Sequence, residues 1–189
     1  MYNGGIDVDD LKVGKRRIRE ITKSLHSEEE IRCKIKEMAE EIDRYYSQLT
    51  DRIIAVCVLK GAIHFFSELV LNLNLDVLYS FIHVSSYSGT RSSGRVKVNY
   101  WIDRSVRDEY VLVVEDILDT GLTLSYILKY LRKLSPKDLK LATLYRKVGK
   151  SDIEPDFVGF NIEDKFIIGY GLDYEELYRN LPYVNYFER

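Results

Sequence analysis

The sequence predicts an α/β fold built on a mostly parallel sheet, and three observations carry that expectation. Residues 53–59 (Ile-Ile-Ala-Val-Cys-Val-Leu) and 111–114 (Val-Leu-Val-Val) are unbroken apolar runs rich in β-branched residues. That is the pattern of strands buried on both faces. After each run comes a segment that reads as a helix. Strand and helix then alternate along most of the 189 residues, as in chains built from strand–helix–strand units.

The elements read as follows. Residues 1–26 are polar and irregular, and their basic cluster Lys15, Arg16, Arg17 and Arg19 reads as a solvated face. A helix begins at Ser27, which forms a capping box with Glu30, and Ile31, Ile35, Met38 and Ile42 recur at helical spacing. After the 53–59 strand, Lys60-Gly61-Ala62 turns into a second helix over about 63–71. Val77 to Val84 is a strand. Residues 85–95 (Ser-Ser-Tyr-Ser-Gly-Thr-Arg-Ser-Ser-Gly-Arg) offer nothing to a core and read as an exposed loop, and Val96 to Ile102 returns as a strand. The helix after 111–114 carries Leu124, Ile127, Leu128, Leu131 and Leu134 on one face, and Pro136 marks its end. Leu139 to Tyr145 is a further strand, with shorter ones near 157–160 and 166–170.

The bulk numbers bound the function. A length of 189 residues fits a single domain, with a core over about 27–150 and a C-terminal segment over about 151–189. The net charge of −2 gives no general attraction to nucleic acid or to an anionic membrane, so any phosphate site is local. Cys33 and Cys57, with His26, His64 and His83, lack zinc spacing and read as free, buried or half-buried thiols of a reducing compartment. The N-terminus lacks the features of a signal peptide, and no apolar run approaches the roughly 18 residues of a membrane span. The expected location is the cytoplasm.

The most informative segment is 111–125, Val-Leu-Val-Val-Glu-Asp-Ile-Leu-Asp-Thr-Gly-Leu-Thr-Leu-Ser. An apolar strand runs into Glu115 and Asp116, and a helix starts just after Asp119, Thr120, Gly121 and Thr123. Backbone N–H groups at a helix N-terminus point outward unsatisfied, and the helix dipole favours an anion there. Gly121 lets a phosphate approach the backbone, and the two threonines supply hydroxyl donors. Glu115 and Asp116 would repel that phosphate; they suit sugar hydroxyls, or Mg²⁺ bridging to a substrate. Asp119 stands between, placed to take a proton. Lys60-Gly61 sits at a similar strand end and can offer charge and N–H groups to a second anion.

These residues resemble a known family. Val113-Val114-Glu115-Asp116-Ile117-Leu118-Asp119-Thr120-Gly121-Leu122-Thr123 is similar to the phosphoribosyl pyrophosphate (PRPP) signature of type I phosphoribosyltransferases. Further segments resemble the hypoxanthine-guanine branch: Val58-Leu59-Lys60-Gly61-Ala62, Ser85-Ser86-Tyr87 at the start of a mobile lid, Lys147, residues 155–160, residues 164–174 and Arg179. The resemblance implies a mostly parallel twisted sheet with flanking helices and a small hood made by the chain ends, to which residues 1–26 are free to contribute. It implies phosphoribosyl transfer from PRPP to a 6-oxopurine with Mg²⁺, and a homodimer or homotetramer.

Carried over by residue, the resemblance assigns Glu115 and Asp116 to the ribose hydroxyls. Thr120, Gly121 and Thr123 would hold the 5′-phosphate, Lys60, Gly61 and Arg179 the pyrophosphate, and Ser86 and Tyr87 the closing lid. Asp119 would be the general base, Lys147 the donor to the purine 6-oxygen, Phe166 the stacking ring and Ile167 the backbone reader of the purine edge. Glu115, Asp116 and Asp173 would be the Mg²⁺ ligands, Asp173 directly or through water. Without the resemblance, Lys147 reads as a solvated lysine, Phe166 as core, and Asp173 with Arg179 as a surface ion pair. A nucleotide-sensing regulator that binds nucleic acid would need a basic face that the charge does not provide. A phosphate-loop hydrolase would need a Gly-x-x-x-x-Gly-Lys-Ser/Thr motif that the chain lacks.

Overall fold

The structure is a computed structural model that describes residues 18, 21–86 and 96–188. In chain order its elements are β1 (Lys23–His26), α1 (Glu28–Tyr46), β2 (Arg52–Leu59), α2 (Ile63–Asn72), β3 (Asp76–Ser86), β4 (Val96–Tyr100), β5 (Tyr110–Leu118), α3 (Leu122–Lys133), β6 (Asp138–Lys147), β7 (Phe157–Ile162), β8 (Ile167–Ile168) and β9 (Val184–Tyr186). The main sheet has the order β4-β3-β2-β5-β6-β7, and every pairing is parallel except β3 with β4.

Burial on both faces explains the unbroken apolar runs. Ile53, Ala55 and Cys57 of β2, with Leu112 and Val114 of β5, pack beneath α1 and α2. Ile54, Val56 and Val58, with Val111 and Val113, pack beneath α3 with Leu124, Ile127, Leu128 and Leu131. Successive strand residues point to opposite faces, so a sheet covered on both sides needs apolar residues at every position. At α1 the Ser27 hydroxyl accepts from the Glu30 N–H, and the Glu30 carboxylate accepts from the Ser27 N–H at 2.8 Å, which is the expected capping box.

The chain goes from β2 outward to β3 and then returns to the other side of β2 as β5. This reversal opens a crevice at the carboxyl ends of β2 and β5, where ligands bind in open α/β sheets. A second sheet of order β1-β9-β8 is antiparallel and joins the two ends of the described chain. Beside it lies a small apolar cluster of Ile18, Ile168, Tyr178 and Leu181.

Several expectations are corrected. Residues 23–26 are a strand, not irregular chain; a four-residue edge with two exposed positions shows no alternation, and its partner lies at the far end of the sequence. Ser85 and Ser86 extend β3, because they pair with Lys97 and Val96. The β5 strand runs to Leu118, since Glu115, Ile117 and Leu118 pair with Thr143, Tyr145 and Arg146 of β6. The strand near 166–170 shrinks to two residues, because Gly169 and Gly171, at φ 100° and 101°, turn the chain. The 96–102 strand ends at Tyr100. Cys57 is buried but Cys33 is exposed on α1, and both thiols are free. Tyr87, Lys15, Arg16, Arg17 and Arg19 lie outside the described residues. Among the described residues, no helix is long and apolar enough to cross a membrane.

Candidate active site

The crevice is built from the ends of β2, β5 and β6 and from the C-terminal segment. Glu115 and Asp116 are adjacent near the end of β5, where the strand's alternation breaks: Leu112, Val114 and Ile117 pack on one face and Val111, Val113 and Leu118 on the other. Asp116 is only 8% exposed. The Asp116 N–H donates to Glu115 Oε1 at 3.2 Å, and the Ile117 N–H donates to Asp116 Oδ1 at 2.9 Å. Burial raises the Asp116 pKa despite these bonds. Burial first, and the Asp116 charge next, hold the Glu115 carboxyl well above its usual range. A cation brought to this pair would relieve both penalties.

The room for Asp116 is made by Gly61. A Cβ at residue 61 would stand 1.8 Å from Asp116 Oδ2. A Cβ at Gly171 would in turn stand 1.9 Å from the Gly61 carbonyl oxygen. The turn after β2, the carboxylate of β5 and the C-terminal segment therefore meet at one point with no space for a methyl group. The sequence assigned Gly61 to N–H donation; the structure adds this steric demand.

The loop between β5 and α3 has the form of an anion cradle. Gly121 is the N-cap of α3, has φ 73° and makes no side-chain cap bond. The N–H groups of the first turn are therefore left open to an anion. A Cβ at Gly121 would lie 2.4 Å from Ser151 Oγ, so the turn after β6 packs directly beneath the loop. Thr120 is exposed and Thr123 half-buried.

Lys147, at the end of β6, is buried at 5% exposure rather than solvated. Its Nζ donates to Asp119 Oδ2 at 2.8 Å and pairs with Asp164 Oδ1 at 3.2 Å. Asp164 also pairs with Lys150 at 2.5 Å. Burial alone would lower the Lys147 pKa; the bonds to Asp119 and Asp164 more than offset it, and the net shift is upward. The two residues that the sequence assigned to base and reader are thus joined to each other, and Asp164, to which it gave no role, joins them.

A second charged group lies at the end of β2. Glu176 accepts from Lys60 at 2.7 Å and from Arg179 at 3.2 Å. Arg179 also pairs with Asp173 Oδ1 at 2.7 Å and donates to the Gly171 carbonyl at 2.8 Å. Asp173 Oδ2 accepts from the Glu176 N–H at 2.8 Å. Glu176 was absent from the sequence-level site. Its signal was available in the acidic run between Asp173 and Arg179. Phe166 is half-buried and meets Tyr174 edge-on at 5.8 Å between ring centres; Ile167 is buried in β8. Ser86 ends β3, at the carboxyl edge of the same sheet.

Residues 22–175 match the family model of the phosphoribosyl transferase domain. The chain belongs to the phosphoribosyltransferase family. It is 45% identical over 168 residues to the hypoxanthine-guanine phosphoribosyltransferase of Bacillus subtilis (strain 168), covering 87% of this chain and 92% of that protein. It is 37% identical over 168 residues to the hypoxanthine-guanine-xanthine phosphoribosyltransferase of Tritrichomonas foetus, covering 87% and 91%. Among solved structures, a hypoxanthine-guanine phosphoribosyltransferase from Bacillus anthracis superposes with a TM-score of 0.82 at 38% identity, covering 89% of this chain and 99% of that one. The phosphoribosyltransferase fold of this chain is type I, with the sheet of the chain ends as its hood.

Proposed function

We propose that this phosphoribosyltransferase transfers the 5-phosphoribosyl group from PRPP to hypoxanthine, guanine or both, releasing pyrophosphate and forming IMP or GMP in purine salvage. The observation that carries the reading is Lys147, a buried ammonium beside Asp119, next to an uncapped helix N-terminus. It sits where a base bonded to a ribose 5-phosphate would lie. The relatives named above act on these bases by name.

The chemistry follows from the residues. The α3 N-terminus, with Thr120, Gly121 and Thr123, binds the 5′-phosphate. Lys60, Gly61 and Arg179 bind the pyrophosphate. Glu115 and Asp116 hold the ribose hydroxyls and place negative charge beneath the sugar, where positive charge develops as its bond to pyrophosphate breaks. Asp119 accepts the proton that leaves the purine as its nitrogen bonds to the sugar. Lys147 donates to the 6-oxygen; a 6-amino group would present a donor to a donor, so adenine is rejected. Phe166 lies against the ring and the Ile167 backbone reads its edge. By the resemblance, Ser86 and Tyr87 would contribute to closing over the bound substrate.

The carboxylates fit Mg²⁺. Among the described residues, no group of three His, Cys, Asp or Glu side chains is arranged to cage a metal. Mg²⁺ is commonly held by one or two carboxylates together with substrate oxygens, and the strained Glu115–Asp116 pair suits such an ion. Asp173 would meet a substrate-bound ion directly or through water if Arg179 turned to phosphate. When bound, the ion neutralises the leaving pyrophosphate.

We place the reaction in the cytoplasm, where the free thiols of Cys33 and Cys57 stay reduced, and expect a homodimer or homotetramer. The test is a steady-state assay of hypoxanthine, guanine, xanthine and adenine with PRPP and Mg²⁺, following nucleotide and pyrophosphate. Turnover of a 6-oxopurine with little for adenine is the expected result, and no turnover with hypoxanthine or guanine overturns the reading.

A further inference from the structure

Four charges lie in a row across the purine side of the crevice: Asp119, Lys147, Asp164 and Lys150, at 2.8, 3.2 and 2.5 Å. Lys147 is buried at 5% exposure, whereas the side chains of Asp119 and Asp164 are 45% and 37% exposed. A buried ammonium without a counter-charge is costly. Asp119 is a counter-charge that the reaction removes. If it takes the purine proton, its carboxylate becomes neutral at the moment when the donor on Lys147 matters most. The second carboxylate on Lys147 has no such duty. Asp164 approaches from the turn after β7, away from the β5–α3 loop that carries Asp119. Lys150, in the turn after β6, anchors it from the outer side.

We propose that Asp164 is a positioning residue: it keeps Lys147 charged and aimed at the purine 6-oxygen while Asp119 is neutralised. The proposal rests on the phosphoribosyl-transfer reading given above. Lys147 has three N–H donors. One meets Asp119 and one meets Asp164, which leaves the third for the purine. Losing Asp119 alone leaves the ammonium held from the Asp164 side. Losing Asp164 makes the charge of Lys147 depend on the residue that is being protonated. The charged groups facing Lys147 are Asp119 from the β5–α3 loop and Asp164 from the turn after β7. Among the described residues, no other ion pair reaches it.

The test compares wild type with Asp164→Asn, Asp164→Glu and Lys150→Met. Hypoxanthine and adenine turnover are measured from about pH 7 to about pH 12, a range that brackets an ordinary lysine midpoint of about 10.4. Beside it, an NMR titration of isotope-labelled lysine follows the Lys147 resonance, identified by its loss in Lys147→Arg. Losing one bond to a charged group predicts that Asp164→Asn lowers kcat/KM for hypoxanthine about ten- to hundred-fold, mainly through KM. The alkaline limb and the Lys147 midpoint should both move to lower pH. Asp164→Glu should restore most of the loss, and Lys150→Met should give a smaller shift in the same direction. An unmoved Lys147 midpoint in Asp164→Asn overturns the proposal. So does an equal loss in the Asn and Glu variants with the alkaline limb in place, which is what a purely structural role gives. A wild type that makes no nucleotide sinks the phosphoribosyl-transfer reading instead, and the NMR midpoint still decides whether Asp164 holds the Lys147 charge.

Discussion

Replacing Gly61 with alanine tests how the crevice is assembled. The new Cβ would stand 1.8 Å from Asp116 Oδ2 and 2.6 Å from its Cγ, well inside the usual contact distance of about 3.5 Å. On the other side the Gly61 carbonyl is pressed against Gly171, so the backbone has little room to retreat. The carboxylate has to turn away, and turning breaks the 2.9 Å bond from the Ile117 N–H. A bond to a charged group contributes about 1.5–3 kcal/mol, and an off-rotamer side chain costs about 0.5–1.5 kcal/mol. Together they predict a loss of about 2–4.5 kcal/mol. For a chain of this size that lowers Tm by about 4–18 °C. On the proposed ribose-binding role of Asp116, its displacement should raise KM for PRPP at least as much as KM for hypoxanthine. Calorimetric melting and initial rates against PRPP measure both effects. An alanine variant with wild-type Tm and wild-type KM for PRPP would refute the claim that Gly61 exists to admit Asp116.

Three further outcomes are expected. Asp119→Asn should lower kcat by on the order of 10²–10⁴, the usual contribution of a general base; an unchanged kcat in pre-steady-state and steady-state assays removes it from that role. Lys147→Ala should narrow the gap in kcat/KM between hypoxanthine and adenine, and a preference that survives intact means that another group reads the 6-position. His26 stacks on Phe160 at 3.9 Å with its Nδ1 3.2 Å from the Tyr145 hydroxyl, and burial lowers its pKa. Its contribution to stability is therefore fully present above the unfolded midpoint of about 6.5 and is lost as pH falls through the lower folded value. Denaturant midpoints measured across that window should drop in wild type and drop less in His26→Gln, and parallel curves would contradict the assignment.

The parts legible in the sequence are those whose signal is local. The runs at 53–59 and 111–114 gave away β2 and β5 because burial on both faces leaves no polar position to interrupt them. Ser27 and Glu30 marked the start of α1 because a capping box is complete within four residues. The 115–123 segment and Lys147 were visible as chemistry, and the family resemblance supplied their roles. What stayed hidden depends on segments that meet only in three dimensions. Lys23–His26 is a strand because Val184–Tyr186 pairs with it, and neither piece is long enough to show a pattern alone. The demand on Gly61 needs Asp116 and Gly171 in place before it exists. Asp164, within the 164–174 resemblance segment, and Glu176 have no individual role in the sequence until the fold brings them to Lys147, and to Lys60 and Arg179.

The last of these contacts changes how ligand capture has to be described. With Glu176 between Lys60 and Arg179, the cations at the end of β2 are not an open positive socket. On the proposed role of Lys60 and Arg179, an arriving diphosphate would exchange with a carboxylate already on the protein, and its affinity would be the difference between two anions competing for the same donors. A lone phosphate or chloride gains little by that exchange. A ligand that brings several oxygens and its own metal gains more, because it can satisfy Lys60 and Arg179 together. On that role the contact would act as a threshold on ligand valence, and it would do so without giving the protein the net positive charge that would also collect nucleic acid.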